Sequence, residues 1–436
     1  MAIAIRTGEE TRQVQMVCLD ELVGGDDVLR RVERLVDWEL VRETARPFYS
    51  DFGRPGIDPV VLVKLFLVAA IRGMDSMRET LRVAQVDLSV RRFLGYGLTE
   101  GLPHHATFSY AQCVRFANSS VFEQLFTQVL ASCREAGLLD GSRLIVDATH
   151  VEANAALKSL RAELSAVDGG GENAEEDEQW ERRKLELATP RSGPTPKRKA
   201  SNATALSRTD PDAKLRYKPG HRPHLVHRAQ VATDPKARVI VAVHAEPATG
   251  HEADSLPVII DRAKWLRHRV EEIVADAGYA SAATYQALAG RGITAYIPPQ
   301  PNMRQSEHGQ AARARCKTPL GVGAAIDRIT HGEGAISELK RHGAGRARCR
   351  GTRKLHLQLL LAATAINLKR LIDRGLAAEN AAAGRQTYEQ ARITTQDRRA
   401  RRDHPERAAI IAHLQIIQAC LTALHDSASH TSTTGS

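Results

Sequence analysis

Three short runs rich in β-branched residues lie in the middle of the chain, and two of them end in an aspartate. The runs are 143–147 (RLIVD), 238–244 (RVIVAVH) and 272–276 (EIVAD). Helical patterns follow the last two runs, around 252–266 and 282–288. Strands that alternate with helices are typical of α/β folds. We therefore predict an α/β core with Asp147 and Asp276 at the ends of two of its strands.

An aspartate that ends a strand has two interpretations. The strand holds its backbone rigidly, and the carboxyl edge of an open α/β sheet faces a crevice, so an acid there can serve a binding or catalytic site. An aspartate is also a common turn residue. Taken singly, Asp147 and Asp276 fit the turn interpretation better, and only the pair suggests a site.

A third acid, Glu333, lies in the segment RITHGEGAISELK at 328–340. Glu333 and Lys340 are seven residues apart, about two turns at ~3.6 residues per turn, so in a helix they project from one face. Arg328 lies about a turn and a half upstream. The pattern equally fits an ordinary amphipathic helix with a charged side, and spacing alone does not bring it to the aspartates.

The first third of the chain, from about Asp20 to Ala136, has a helical pattern throughout. Asp58 and Pro59 predict the start of an apolar helix that Gly73 ends. Ser76 is the expected cap of a second helix, which makes a weak helix-turn-helix signal. The spacing favours a helical bundle with a solvated basic face over a DNA-recognition helix. That face would carry four arginines: Arg78, Arg82, Arg91 and Arg92.

Three further segments have a composition unlike a packed core. Residues 157–215 hold a glycine triplet, an acidic run and a Pro/Ser/Lys tract, which predicts a flexible insertion. Residues 298–320 are expected to be an irregular linker. From about Ala378 the chain is rich in Ala, Arg and Gln, which predicts helix, and 426–436 should be frayed.

The charge balance points towards a polyanionic partner. There are 61 Lys and Arg against 51 Asp and Glu, a formal charge of +10 that suits nucleic acid or an acidic membrane surface. The apolar stretch 60–71 is shorter than the ~20 residues that cross a bilayer, so we expect no membrane association. The N-terminus lacks a secretory pattern, and the six cysteines stand alone, which indicates a reducing cytosol and no cysteine zinc site.

An ordered series of motifs resembles the DDE transposases of bacterial insertion sequences. In the helical part, the matching segments are GRPGIDPV at 53–60, RFLG at 92–95 and HHATFS at 104–109. Later segments are VDATHVEAN at 146–154, TDPDAK at 209–214, VADAGY at 274–279, EGAISELKRHG at 333–343 and RCRG at 348–351. The resemblance runs from about Asp20 to Leu371. Each motif is short, and the specificity comes from their shared order.

The resemblance implies a ribonuclease-H-like α/β core, a mixed sheet flanked by helices, with an all-α N-terminal domain and a helical C-terminal tail. We expect the boundaries at 1–136, 137–375 and 376–436. It also implies that Asp147, Asp276 and Glu333 are catalytic and bind two Mg²⁺ ions, with Mn²⁺ as a substitute. Paired ions stabilise the attacking and leaving oxygens of a phosphodiester, and magnesium prefers carboxylate ligands.

The implied partner is double-stranded DNA, both the element's terminal inverted repeats and the target, bound by a homodimer. Low aromatic content, 4%, argues against a single-strand binder built on stacked bases. Ala325 stands where relatives often carry a tyrosine, which puts one substrate contact in doubt. Candidate DNA-binding residues are Arg328, Lys340, Arg341, Arg346, Arg348, Arg350, Arg78 and Arg82.

Two other functions fit the same residues. A catalytically inactive or domesticated relative would bind DNA as a repressor without cutting it. A nuclease or resolvase on the same fold would cut structured DNA without joining it. DNA cleavage would distinguish a transposase from the repressor, and strand-transfer products would distinguish it from the nuclease or resolvase.

Overall fold

A computed structural model of the chain describes residues 16–50, 52, 56–162, 202, 205–217, 222–263, 270–303 and 305–376. Up to residue 135 the described secondary structure is helical, and a mixed sheet with flanking helices follows. The α-helices of the first part are Leu19–Leu22, Val28–Leu35, Trp38–Ala45, Pro59–Ile71, Met77–Val86, Leu88–Leu94, His105–Tyr110 and Val121–Glu135. The later ones are Leu256–Ala263, Ala282–Gly290, Glu307–Cys316, Pro319–Asp327, Glu333–Leu339 and Thr352–Leu376.

The apolar helix Pro59–Ile71 begins where the sequence predicted. Asp58 accepts a hydrogen bond from the backbone N–H of Val60, and Pro59 occupies the first turn, where its missing N–H costs nothing. Gly73 follows with φ at +64°, a conformation that glycine adopts easily. Because the helix is buried on nearly all sides, it forms the centre of the helical part.

The second predicted helix is in fact two helices. Met77–Val86 starts after Ser76, although the serine side chain makes no cap bond, and Asp87 then caps Leu88–Leu94. Arg91 is buried in the second helix, where its guanidinium donates to the carbonyls of Gly97 and Glu100. The predicted basic face is therefore wrong for Arg91, because that side chain satisfies backbone carbonyls inside the protein.

The central sheet contains six strands: β1 (Arg143–Glu152), β4 (Lys214–Arg216), β5 (His224–Asp234), β6 (Val239–Pro247), β7 (Glu272–Val274) and β8 (Thr294–Tyr296). A separate pair is formed by β2 (Leu160–Ala162) and β3 (Ala205–Ser207). The main order is β6-β5-β1-β7-β8, with β4 beside the start of β5. β5 is antiparallel to β1 and β6, whereas β7 and β8 run parallel to β1. The predicted mixed sheet flanked by helices is therefore confirmed.

Two strand predictions need correction. Asp147 does not end its strand, because pairing with β5 continues through Glu152, and the aspartate lies in the middle of β1. Strand β5 itself was missed. Its side chains are almost all buried, yet several are polar, so the strand lacks the apolar run on which the prediction relied.

The linker and insertion predictions were also partly wrong. Residues 307–316 form a helix capped by Ser306, not an irregular linker. Both described ends of the predicted insertion form strands. Residues 160–162 form one at its start, and residues 205–207 and 214–216 form two at its end. Most of the insertion's middle and the predicted C-terminal helix from about Ala378 lie outside the described residues.

Within the described residues, one helix, Thr352–Leu376, is long and apolar enough to cross a membrane. Its most apolar window is 89% buried inside the protein, as expected for a core helix. The side chain of Asn367 on this helix makes two hydrogen bonds with the backbone of Ile240 in β6. Its Oδ1 accepts from the Ile240 N–H at 3.0 Å, and its Nδ2 donates to the Ile240 carbonyl at 2.8 Å. The helix therefore supports the sheet through a buried amide and apolar packing.

Candidate active site

The register of two parallel strands brings the two aspartates together. Ile145 of β1 pairs with Val274 of β7, and this is the last pair between those strands. Asp147 and Asp276 each lie two residues beyond that pair, Asp147 within β1 and Asp276 just after the end of β7.

The Asp147 carboxylate lies in a partly buried and negatively charged setting. Its Oδ1 accepts a hydrogen bond of 2.8 Å from the N–H of Ala148. Burial raises the pKa of the Asp147 carboxyl, and the charges of Asp276 and Glu333 raise it further. The Ala148 bond and the charge of Arg328 act in the opposite direction on this pKa. Asp147 is therefore close enough to both Asp276 and Glu333 to be affected by their charges.

The helix that carries Glu333 is fixed along strand β1. Arg143 at the start of β1 donates to Asp327, with 2.6 Å between Nη1 and Oδ2. Farther on, a methyl group on Gly332 would stand 3.0 Å from Ile145 Cγ2 and 3.7 Å from Asp147 Oδ2. The helix backbone thus rests directly on β1, and Glu333 follows the point of closest approach.

The segment around this contact departs from regular α-helix. Residues 328–332 and 340–344 adopt π-helical turns on either side of Glu333–Leu339. Single π-turns inside helices occur often at functional sites. After the second one, the backbone of Gly345 and Ala347 exchanges hydrogen bonds with Glu152 at the far end of β1. Both ends of the segment are therefore tied to the strand.

Arg238 supports the same helix from the turn between β5 and β6. It has φ at +54°, unusual for a residue with a side chain, and its Nη2 donates to the Thr330 carbonyl at 3.2 Å. A methyl group on Gly334 would lie 3.0 Å from Arg238 Cζ. Sequence patterns gave no indication of this contact.

Positive charge lies on both sides of Glu333 along the helix. Arg328 is partly exposed and Lys340 is exposed, and both lie on the helix segment that rests on β1. Burial lowers the pKa of His150 to about 4, and the charges of Arg216, Arg228 and Lys340 lower it further. His150 is therefore neutral at physiological pH among cations. Arg216, on the short strand β4, was missed because one arginine in a predicted insertion carries no signal.

The arginines predicted after Lys340 differ in their surroundings. Arg346 and Arg350 are exposed and line a cleft of about 720 Å³ that also contains Lys158 and His224. Arg341 is exposed as well, and its carbonyl would stand 2.1 Å from a methyl on Gly73.

Arg348 has a different setting from its neighbours. Its Nη2 donates to the Met74 carbonyl, and its pKa is lowered by burial. The side chain of Asn154 donates a hydrogen bond to the Arg348 carbonyl at 2.8 Å, and the side chain of Gln358 accepts one from the backbone N–H of Arg348. Arg348 therefore joins the two parts of the chain, and little of its charge is offered to a ligand.

Of the two arginines predicted in the helical part, Arg78 shares a second cleft, about 640 Å³, with Arg346. Arg82 is exposed on the same helix as Arg78 but does not line this cleft. Cys113 and Cys349 also line this cleft and interact with each other, and their hydrogen bond lowers the pKa of Cys113 to about 7. Both cysteines are free thiols, and the fold brings them together although they are distant in the sequence.

A fourth acid, Glu252, lies next to Asp276. A methyl on Gly278 would stand 2.4 Å from Glu252 Oε2 and 3.0 Å from Asp276 Oδ1. Burial raises the pKa of Glu252, and the charges of Asp276 and Asp147 raise it too, while Arg228 lowers it. No motif marks Glu252 in the sequence, and only the fold brings it to the other acids.

Comparison with protein families agrees with this geometry. Residues 17–112 match a model described as a transposase domain (DUF772). Residues 138–323 and 294–372 match two models, each described as a transposase DDE domain. Together the two DDE models span more than half of the chain, including all three predicted acids. The chain belongs to the DDE transposases. The resemblance of its motifs to this family is therefore confirmed.

Solved structures similar to this DDE transposase are themselves transposases. One is the piggyBac transposase synaptic complex with hairpin DNA, with 10% identity, 83% of this chain and 75% of that chain covered, and a TM-score of 0.36. Another is the Mos1 transposase paired-end complex with left transposon end, with 11% identity and a TM-score of 0.17. The match covers 73% of this chain and 82% of that chain. No curated protein matches the sequence. The family models are therefore the basis of the assignment.

DDE transposase domains generally use divalent metal ions. Among the described residues, no three His, Cys, Asp or Glu side chains lie close enough to bind one metal ion between them. Magnesium in phosphate chemistry is usually held by one or two carboxylates, and water and substrate phosphates complete its coordination. The hard oxygen donors of Asp147, Asp276 and Glu333 fit such an open site.

Proposed function

We propose that this DDE transposase binds the terminal inverted repeats of a bacterial insertion sequence, cuts DNA there and joins the released end to a target. The observation that supports the proposal is the alignment of Asp147 with Asp276 by the β1–β7 register, together with the contact of Gly332, the residue before Glu333, with Asp147. A non-catalytic repressor would have no need to keep three mutually repelling carboxylates together, since unpaired like charges are costly.

The three acids would hold two divalent ions, Mg²⁺ or Mn²⁺. When bound, such ions supply Lewis-acid stabilisation of the attacking and leaving oxygens of the phosphodiester. Asp147 fits the position between the other two acids, because the β1–β7 register aligns it with Asp276 and Gly332 holds the helix of Glu333 against it. The Ala148 hydrogen bond orients Asp147 Oδ1, and the Gly278 N–H does the same for Asp276 Oδ1 at 2.8 Å. Among the described residues, each aspartate thus has one oxygen fixed by a hydrogen bond, and no hydrogen bond reaches the second oxygen.

The helix acid would complete the site from the opposite side. The Gly332 contact and the Arg143–Asp327 ion pair position the start of this helix on β1. In the described part of the chain, no group donates a hydrogen bond to the Glu333 carboxylate, and its side chain is exposed. Glu333 is therefore free to reach the substrate side of the aspartates.

The cations would hold the DNA backbone. Arg328 and Lys340 lie on either side of Glu333 along the helix, which suits contacts to the phosphates that flank the cut. Arg346 links the two clefts described above, and Arg78 lies in one of them and Arg350 in the other. Each phosphate contact of this kind releases counterions, so DNA affinity should fall steeply with salt.

Joining two element ends to one target requires more than one catalytic domain, and we propose that two copies assemble on DNA. A size measurement by mass photometry would show this directly. We expect a doubling of protein mass on end-bearing DNA and none on DNA with scrambled ends.

The test of the function is a cleavage and joining assay with the full chain. The substrate carries the inverted repeats that flank the gene, a supercoiled plasmid serves as target, and matched DNA with scrambled ends is the control. We expect Mg²⁺-dependent nicks at the repeats that leave 3′-hydroxyls, followed by joined products. Nicking without joining would indicate a nuclease. Specific binding without nicking would indicate a repressor.

A further inference from the structure

Glu252 lies in a position that the catalytic triad does not account for. It begins the short helical turn Glu252–Ser255 that follows strand β6, whereas Asp276 begins the turn Ala277–Tyr279 that follows β7. The two turns pack against each other. An oxygen of each carboxylate lies within 3.0 Å of one point beside Gly278. Two acids from different strands therefore face one small space.

The position of Glu252 is fixed by a buried hydrogen-bond network beneath it. Arg228 of β5 donates from Nε to Glu246 Oε1 at 2.6 Å and from Nη2 to the Thr249 carbonyl at 2.8 Å. Ser255, in the same turn as Glu252, donates to the other oxygen of Glu246. The loop that leads to Glu252 is thus held at both ends.

The same network reaches the turn after Asp276. Gln230 donates to Glu246 Oε1 at 2.9 Å and accepts from the hydroxyl of the buried Tyr279. Both acids are therefore supported by one set of buried partners. Supporting hydrogen bonds of this kind are what hold ligands in place at metal sites.

Structural roles that usually explain a partly buried acid are missing at Glu252. Among the described residues, no group donates a hydrogen bond to its carboxylate and no cation forms an ion pair with it. The neighbouring Asp254, not Glu252, caps this turn by accepting from the His251 N–H. A carboxylate that faces another carboxylate without a partner lacks the compensation that buried charges normally have.

We propose that Glu252 is a fourth carboxylate of the metal site and binds, together with Asp276, one of the divalent ions. The inference rests on the proposed function, because it assumes that Asp276 is a metal ligand. It extends that function by adding an acid that the triad does not contain. A hard oxygen donor beside an aspartate suits Mg²⁺ or Mn²⁺.

The test measures Mn²⁺ binding to the full-length protein without DNA, by electron paramagnetic resonance. The variant Glu252→Gln keeps the size of the side chain and removes its charge. We expect about a tenfold or greater weakening of binding, the scale of losses seen when carboxylates around a metal are altered. Glu271→Gln, an exposed acid near β7, is the matched control and should bind like the wild type. Equal affinity for wild type, Glu252→Gln and Glu271→Gln would overturn the inference.

Two further variants separate the possible failures. Asp276→Asn should also lose Mn²⁺ affinity, so a loss in Asp276→Asn without a loss in Glu252→Gln refutes only the role of Glu252. No loss in either variant refutes the proposed metal site itself. Glu252→Asp keeps the charge on a shorter side chain and should bind more tightly than Glu252→Gln. If Glu252→Asp is as weak as Glu252→Gln and both have lowered melting temperatures, the residue is structural and the inference is wrong.

Discussion

Gly332 lies directly against Asp147. A methyl group on the glycine would stand 3.7 Å from Asp147 Oδ2 and 3.0 Å from Ile145 Cγ2, the second distance being tighter than ordinary contact. The missing side chain therefore allows the helix to rest on β1 with Glu333 immediately after the contact. In this transposase, a glycine sets how closely the helix before Glu333 approaches Asp147.

Replacement of Gly332 by alanine should displace the helix by a few tenths of an ångström. We expect DNA nicking to slow about tenfold, since a shift of ~1 Å at a catalytic group can cost about 100-fold. The measurement is single-turnover nicking under saturating enzyme. Gly323→Ala, in the preceding helix, is the control, because no atom lies within 4 Å of its added methyl group. Wild-type nicking by Gly332→Ala would contradict the role given to this contact.

Arg238→Gly should separate helix support from backbone strain. Glycine adopts φ at +54° easily, so the turn keeps its shape while the bond to the Thr330 carbonyl is lost. We expect unchanged or slightly higher thermal stability together with slower nicking. Lys236→Ala, in the same turn, removes an equal charge and should nick normally. Equal nicking rates for the two variants would show that Arg238 does not position the helix.

Arg346 and Arg348 are two residues apart and should respond differently to alanine. Arg348→Ala leaves the Met74 carbonyl without its donor, so urea denaturation should show a loss of about 1–3 kcal/mol. Arg346 has 64% of its side chain exposed, and its removal should leave stability unchanged. Its loss should instead weaken DNA binding and reduce the salt slope by about one unit. Stability would be followed by urea denaturation and DNA binding by fluorescence anisotropy. A loss of stability in Arg346→Ala with a loss of DNA binding in Arg348→Ala would contradict these roles.

Acid should destabilise this protein through His356. Burial lowers the pKa of His356 to about 3, and the charges of Arg262 and His244 lower it further. Below pH ~6.5, the ordinary pKa of histidine, His356 is protonated in the unfolded chain but stays neutral in the folded chain. The free energy of unfolding therefore falls as the pH drops from ~6.5. The loss between pH 7 and 5 is about 2 kcal/mol at most.

The variant His356→Gln tests this pH dependence. Glutamine can still accept from Arg262 Nη1, which lies 2.8 Å from His356 Nε2, but it does not titrate. We expect a flatter decline of the free energy of unfolding between pH 7 and 5. Parallel profiles for variant and wild type would show that His356 does not contribute.

The sequence predicted those parts of the fold that depend on local patterns. Asp58 and Pro59 marked a helix start correctly, because a cap needs only residues adjacent in the chain. Asp147 and Asp276 were recognised as strand-associated acids, and the resemblance predicted that they meet. Their actual alignment depends on the register of β1 and β7, which no local pattern specifies.

Residues that depend on distant partners were missed. Strand β5 buries His227 against Asp210, 2.9 Å apart, so its polar residues are compensated by a segment outside the strand. Glu252 and Arg238 have no motif, and their contacts form only when β6 lies beside β5 and the helix lies on β1. Hydrophobic periodicity does not report buried polar pairs, which explains why such residues escape prediction.

The most direct test of the account is single-turnover nicking of end-bearing DNA by Asp147→Asn, Asp276→Asn and Glu333→Gln. Each variant keeps side-chain size and removes one carboxylate charge, so DNA affinity serves as the control for folding. We predict that every variant loses more than about 100-fold in nicking rate, since metal-assisted stabilisation is worth several kcal/mol, while binding stays within about twofold. If any one of the three nicks at the wild-type rate, that carboxylate does not belong to the catalytic site.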